Sequence, residues 1–143
     1  MFVKQISVFM ENKGGRLAKV TKILAENGVN IRALSIADTT DFGILRLIVD
    51  DPDKAFKSLK DAGLIVRTTS VLAISIDDVA GSLASALDTI DKCGISVEYM
   101  YAYLGYISGK AMVVLKVNEP EEATERLRST NVNVLNAEDV YKI

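Results

Sequence analysis

Seven consecutive residues, Glu11-Asn12-Lys13-Gly14-Gly15-Arg16-Leu17, set a carboxylate, an amide and two cations around a pair of glycines, just ahead of an apolar helical pattern. That mixture suits an anion or a zwitterion. The first N–H groups of a helix have no intrahelical acceptor, and the helix dipole favours a carboxylate there by roughly 0.3–1 kcal/mol. Glycines let a ligand come close to the backbone. Asn12 supplies both a donor and an acceptor, as a molecule with a carboxylate at one end and an ammonium at the other requires. The plainer alternative is an asparagine that caps the helix or makes a turn. The arrangement returns 66 residues later as Asp77-Asp78-Val79-Ala80-Gly81-Ser82-Leu83, acidic where the first is basic. A second site there would differ in ligand or affinity, with Asp78 either holding an ammonium or forming an ordinary acidic turn.

The elements that must position these loops are themselves duplicated. Gly15 pairs with Gly81, Leu17 with Leu83, Ala18 with Ala84 and Gly28 with Gly94, so the chain parses as two units, 1–70 and 71–143. In the first, period-2 and period-3.6 patterns predict a strand over 2–10, a helix over 15–27 ended by Gly28, strands over 29–37 and 44–50, a helix over 52–62 and a closing strand from Leu64. Asp41-Phe42-Gly43 reads as the hairpin turn between the second and third strands. Pro52 and Pro120 fall at the start of the second helix of each unit, where a missing N–H costs nothing. Each unit is therefore strand, helix, strand, strand, helix, strand. The fold class is α+β: two ferredoxin-like βαββαβ units with helices packed on an antiparallel sheet. No flexible linker separates the strand ending near Thr69 from the one beginning at Val71. We expect a shared sheet of about eight strands, within the chain or through a dimer, which also removes exposed edges.

Composition narrows the chemistry. The 143 residues contain no histidine and one cysteine, which removes the usual general base and the usual zinc ligands and excludes an internal disulfide. No catalytic residue, metal or cofactor is expected. Cys93 falls on the apolar stripe of its helix and reads as core. The net charge of −2 divides into about +3 for residues 1–70 and −5 for 71–143, without the basic footprint of a nucleic-acid binder. No apolar run reaches the roughly 18 residues of a membrane span, and Lys4, Glu11 and Lys13 interrupt what a signal peptide would keep apolar. The expected setting is the cytoplasm, with neither membrane nor nucleic acid as a partner.

Period-2 counting places Ile95, Val97, Tyr99, Tyr101 and Tyr103 on one face of a strand, with Tyr106 just beyond. Aromatics on such a sheet stack bases in RNA-recognition modules. The acidic surroundings favour a packing surface or a wall beside a ligand instead.

Glu11-Asn12-Lys13-Gly14-Gly15-Arg16-Leu17 followed by Ile23-Leu24-Ala25-Glu26-Asn27-Gly28-Val29-Asn30-Ile31 resembles the signature of ACT domains, small regulatory modules that bind amino acids. The likeness covers all of the first unit and, more weakly, the second, and is greatest to the serine-sensing module of phosphoglycerate dehydrogenases. It implies that Asn12 and Asn30 contact an amino acid between two modules, with Met10, Glu11, Lys13, Gly14, Gly15, Arg16, Leu17 and Ile31 around them. The matching positions of the second unit are Asp77 to Leu83, Ser96 and Val97. Paired as ACT modules pair, the Asn12 loop would face Ser96, and the Asp77-Asp78 loop would face Asn30. Met10 stands where the serine-sensing module has histidine and Gly14 where it has proline, so the resemblance implies an amino acid without fixing serine.

The function this implies is a non-catalytic, regulatory amino-acid-binding protein. It would act through a homodimer or an enzyme partner, one version being a regulatory subunit similar to the small subunit of acetolactate synthase. The rival is an enzyme similar to acylphosphatase, which also carries an arginine in this loop. The Gly-Arg-Val-Gln-Gly arrangement of that family is absent here.

Overall fold

Two glycines in the left-handed region start the longest helices. Gly15 (φ 85°) precedes α1 (Arg16–Glu26) and Gly81 (φ 90°) precedes α3 (Ser82–Lys92), and among the described residues no side chain caps either helix. A residue with a Cβ would be strained at both positions by roughly 1–2 kcal/mol. The computed structural model describes residues 2–11, 14–38, 41–104 and 107–143. Asn12, Lys13 and Tyr106, singled out above, lie outside these described residues.

Contacts divide the chain into Lys4–Thr69 and a second unit made of Ser70–Ile143 with Met1–Val3. The first unit contains most of β1 (Val3–Glu11), then α1, β2 (Ile31–Asp38), β3 (Phe42–Val49), α2 (Pro52–Asp61) and the beginning of β4 (Ile65–Asp77). Its strand order is β2-β3-β1-β4. The second contains the rest of β4, then α3, β5 (Val97–Ala102), β6 (Lys110–Val117), α4 (Pro120–Leu127), β7 (Asn133–Val134) and α5 (Ala137–Lys142). There β5 pairs with β6, β6 with β4, and β4 with β7, all antiparallel. Both units are thus ferredoxin-like βαββαβ folds.

Alternation along the strands assigns one sheet face to each core. Ile6, Val8, Leu45 and Leu47 lie under Val20 and Leu24 of α1 and Ala55 and Leu59 of α2. Leu72, Ile74, Val113 and Leu115 lie under Ala86 and Ile90 of α3 and Ala123 and Leu127 of α4. Each fully buried Leu or Ile contributes about 1.5–3 kcal/mol. Cys93 is half-buried against the second core, as its stripe position predicted.

Four local expectations change. The strands expected to end near Thr69 and restart at Val71 are one 13-residue strand, β4, because nothing in Ile65–Asp77 breaks the extended pattern. Among the described residues the strands therefore number seven, not eight. Phe42 and Gly43 are not in a turn: they sit within β3, opposite Glu11 and Met10. A register shift between Val97 and Tyr99 disrupts the expected tyrosine face. Val97 and Met100 pack on the helix-side core, while Tyr99 and Tyr101 stack with centroids 6.5 Å apart. Finally, α5 was not anticipated. Asn136 caps it by accepting from the Glu138 N–H at 3.3 Å, a local signal that was present in the sequence.

Candidate functional site

At the end of the first sheet where β1 stops and α1 starts, the side chains enclose a small open cavity of about 190 Å3. Met10 is 8% exposed and forms part of its floor. Glu11 ends β1, and Arg16 opens α1 with its Nη2 3.7 Å from the Glu11 carboxylate. Leu17 and Ile36 form apolar walls although each is about two-fifths exposed, at 39% and 43%. Four residues named from sequence, Met10, Glu11, Arg16 and Leu17, therefore share one cavity. Gly14 and Gly15 are exposed beside it.

Three further lining residues, Ile36, Asp38 and Gly43, were not found from sequence. Gly43 lies opposite both Met10 and Asp38 in the sheet. A Cβ at Gly43 would come within 2.8 Å of Asp38 Oδ1, so the carboxylate lies over the glycine. Asp38 is in none of the ion pairs among the described residues. The missed signal was register: Asp38 reaches this cavity because β2 pairs with β3 and β3 with β1.

Asn30 and Ile31 lie at the other end of the same sheet. Ile31 opposes Val49, whereas Asp38 opposes Gly43, the full length of the hairpin away. The Asn30 N–H donates to Asp50 Oδ1 at 2.9 Å, and its carbonyl accepts from the Asp50 N–H at 3.1 Å. This leaves the exposed Asn30 side chain outside that backbone exchange.

The corresponding end of the second unit has a cavity of about 460 Å3. Of the residues named there, Asp77, Ala80, Gly81 and Ser82 line it; Asp78, Val79 and Leu83 do not. Val79 is 68% and Leu83 38% exposed, and the Asp78 N–H donates to the Gly109 carbonyl at 3.0 Å. Lys110 was not anticipated; its Nζ lies 2.5 Å from Asp77 Oδ1. Asn131 and Asn133 also line the cavity. Ser96 and Val97 are elsewhere in the unit. Ser96 borders a separate cavity of about 240 Å3 with Arg126 and Glu122, while Val97 packs on the core. At its edge, the hydrogen bond between Glu119 and Glu122 raises the Glu119 carboxyl above its usual range and lowers that of Glu122, which Arg126 lowers further.

Neither three-residue groupings of metal-binding side chains nor a helix long and apolar enough to cross a membrane occurs among the described residues.

The whole chain, residues 1–143, matches the family described as an ACT domain pair. A crystal structure of a protein from Bacteroides thetaiotaomicron is 44% identical over 100% of this chain and 98% of its own, with a TM-score of 0.92. The regulatory subunit of aspartate kinase from Thermus thermophilus, in a ligand-free form, shares the fold at 18% identity, covering 90% of each chain with a TM-score of 0.69. That from Thermus flavus does so at 16% identity, over 99% of this chain and 92% of its own, with a TM-score of 0.63. No curated protein matches the sequence.

Proposed function

The chain belongs to the family of ACT domain pairs, and on that premise we propose that it is a non-catalytic regulatory sensor of a free amino acid. The observation that carries this reading is the cavity of the first unit. It gathers a guanidinium (Arg16), carboxylates (Glu11 and Asp38) and apolar walls (Leu17 and Ile36) within one small volume. A zwitterion with a short side chain presents the complementary set. The loop around Asn12 belongs to the same proposal, with the ligand held where ACT modules meet; Asn30, at the other end of the hairpin, would serve a site built on the Asp77-Asp78 loop. The output is a partner enzyme or a homodimer, because ligand binding can act elsewhere only by favouring one of two states. Resemblance in fold to regulatory subunits of aspartate kinase supports the partner-enzyme version.

The test is a thermal-shift screen against each of the twenty L-amino acids at millimolar concentration. A ligand present at about 100 times its Kd should stabilise the chain by about 2.7 kcal/mol. The reading predicts a shift with one amino acid or one chemical group of them. No shift with any of the twenty contradicts it.

A further inference from the structure

We infer that the cavity of the first unit takes an α-amino acid with an uncharged aliphatic side chain, its ammonium held by Asp38. The inference rests on the amino-acid-sensor reading and assigns a ligand class and an anchoring residue within it. Three groups of side chains leave little freedom in how such a ligand lies. Arg16 is the cation lining the cavity, so the ligand carboxylate goes to it, competing for a guanidinium that meets Glu11 only at 3.7 Å. Glu11 already shares that guanidinium. Asp38, in none of the described ion pairs, is left as the carboxylate for the ammonium. The remaining lining side chains, Met10, Leu17 and Ile36, carry no donor and no charge, so the ligand side chain that meets them is aliphatic. A polar or charged one finds no partner among them.

The glycine beneath Asp38 is what makes this arrangement specific to the first unit. A Cβ at Gly43 would meet Asp38 Oδ1 at 2.8 Å, displacing the carboxylate or filling the space under it. Pairing registers identify the equivalent positions of the second unit. Met10 opposes Gly43 as Ile76 opposes Ala111, and extending the β5–β6 register from Ala102 and Val113 sets Leu104 opposite Ala111, as Asp38 is opposite Gly43. The same fold is thus built with alanine for the glycine and leucine for the aspartate. The βαββαβ frame does not require the pair, and burial does not explain Asp38, which is exposed.

The experiment is calorimetric titration of the full chain with L-alanine, L-valine, L-glutamate and 2-hydroxyisovalerate, the last matching valine in shape but lacking the ammonium. The wild-type chain should bind alanine or valine, bind glutamate more weakly, and bind the hydroxy acid about tenfold or more weakly than valine. Asp38→Asn keeps the side-chain shape and should weaken the aliphatic amino acid by about tenfold or more, erasing its advantage over the hydroxy acid. Gly43→Ala should do the same by moving the carboxylate. Circular dichroism and thermal midpoints of both variants separate this loss from unfolding. Equal binding by wild type and Asp38→Asn overturns the inference. So does a wild-type chain that binds glutamate, or another amino acid without an aliphatic side chain, but no aliphatic amino acid; in that case the sensor reading stands. Binding of none of the twenty overturns both.

Discussion

Glu11 and Asp77 occupy the same place in the two units, each closing the first strand, yet each meets a different cation from a different element. Glu11 faces Arg16, the first residue of its helix, at 3.7 Å. Asp77 faces Lys110, the residue opposite it in β6, at 2.5 Å. Lys110 corresponds to Phe42, which opposes Glu11, and Ser82 corresponds to Arg16. Where the first unit adds a second carboxylate at Asp38, the second has Leu104. The start of the helix after the first strand is set by backbone geometry and its chemistry by substitution upon it. Gly15 and Gly81 adopt nearly the same conformation and start helices of equal length, while the groups exposed around them change in sign and position.

The largest effect should fall on the shared frame and be equal in both units. Leu24 and Ile90 are matched positions of α1 and α3, 0% and 1% exposed. Truncating either to alanine should cost about 2–5 kcal/mol in urea unfolding. A loss confined to one of the two variants would break the equivalence on which the comparison rests.

A smaller effect should appear only in the second unit. Tyr103, just beyond β5, and Tyr101 and Tyr99 within it correspond through the registers to Ala37, Ser35 and Ala33 of β2. The Tyr103 hydroxyl is buried without a hydrogen-bond partner among the described residues. Burial, reinforced by Tyr141, raises its pKa well above the usual value of 10.0. Below pH 10 the folded and unfolded chains both keep this proton, so it adds no pH dependence. Above pH 10 the unfolded chain releases it and the folded chain does not, so stability falls by roughly 1.4 kcal/mol per pH unit until the folded group ionises. Tyr103→Phe should remove that share of the alkaline loss in pH-dependent denaturation. At neutral pH it should leave stability unchanged or slightly higher, because no hydrogen bond is lost. A strongly destabilised Tyr103→Phe would show that the hydroxyl does have a partner.

The smallest effect on stability concerns the two ion pairs themselves. Arg16→Ala and Lys110→Ala should each shift stability by less than about 1 kcal/mol, since both pairs are solvent-exposed. The comparison sharpens in ligand response: Arg16→Ala should abolish the thermal shift given by an amino acid, and Lys110→Ala should preserve it. The reverse result would move the site to the second unit.

Element type and order were legible because their signals are local. Gly15 and Gly81 ahead of apolar stripes, and Pro52 and Pro120 at helix starts, fix helices without reference to distant residues. What depended on pairing was not legible. Asp38 and Gly43 join Arg16 through two strand registers, and the bulge after Val97 reassigns every side chain beyond it, so counting by twos put Val97 with the tyrosines. Lys110 was invisible as a partner for Asp77 for the same reason. Nothing between Thr69 and Val71 marks a strand end, and β4 duly continues through both.

Of the two matched cavities, the first is the one proposed to bind an amino acid. Backbone-amide NMR of the 15N-labelled chain, titrated to saturation with the amino acid that gives the largest thermal shift, tests it most directly. Saturation should perturb Gly15, Arg16, Asp38 and Gly43 and leave Gly81, Ser82, Leu104 and Ala111 in place. Perturbation confined to the second set, or absent from both at saturation, would contradict it.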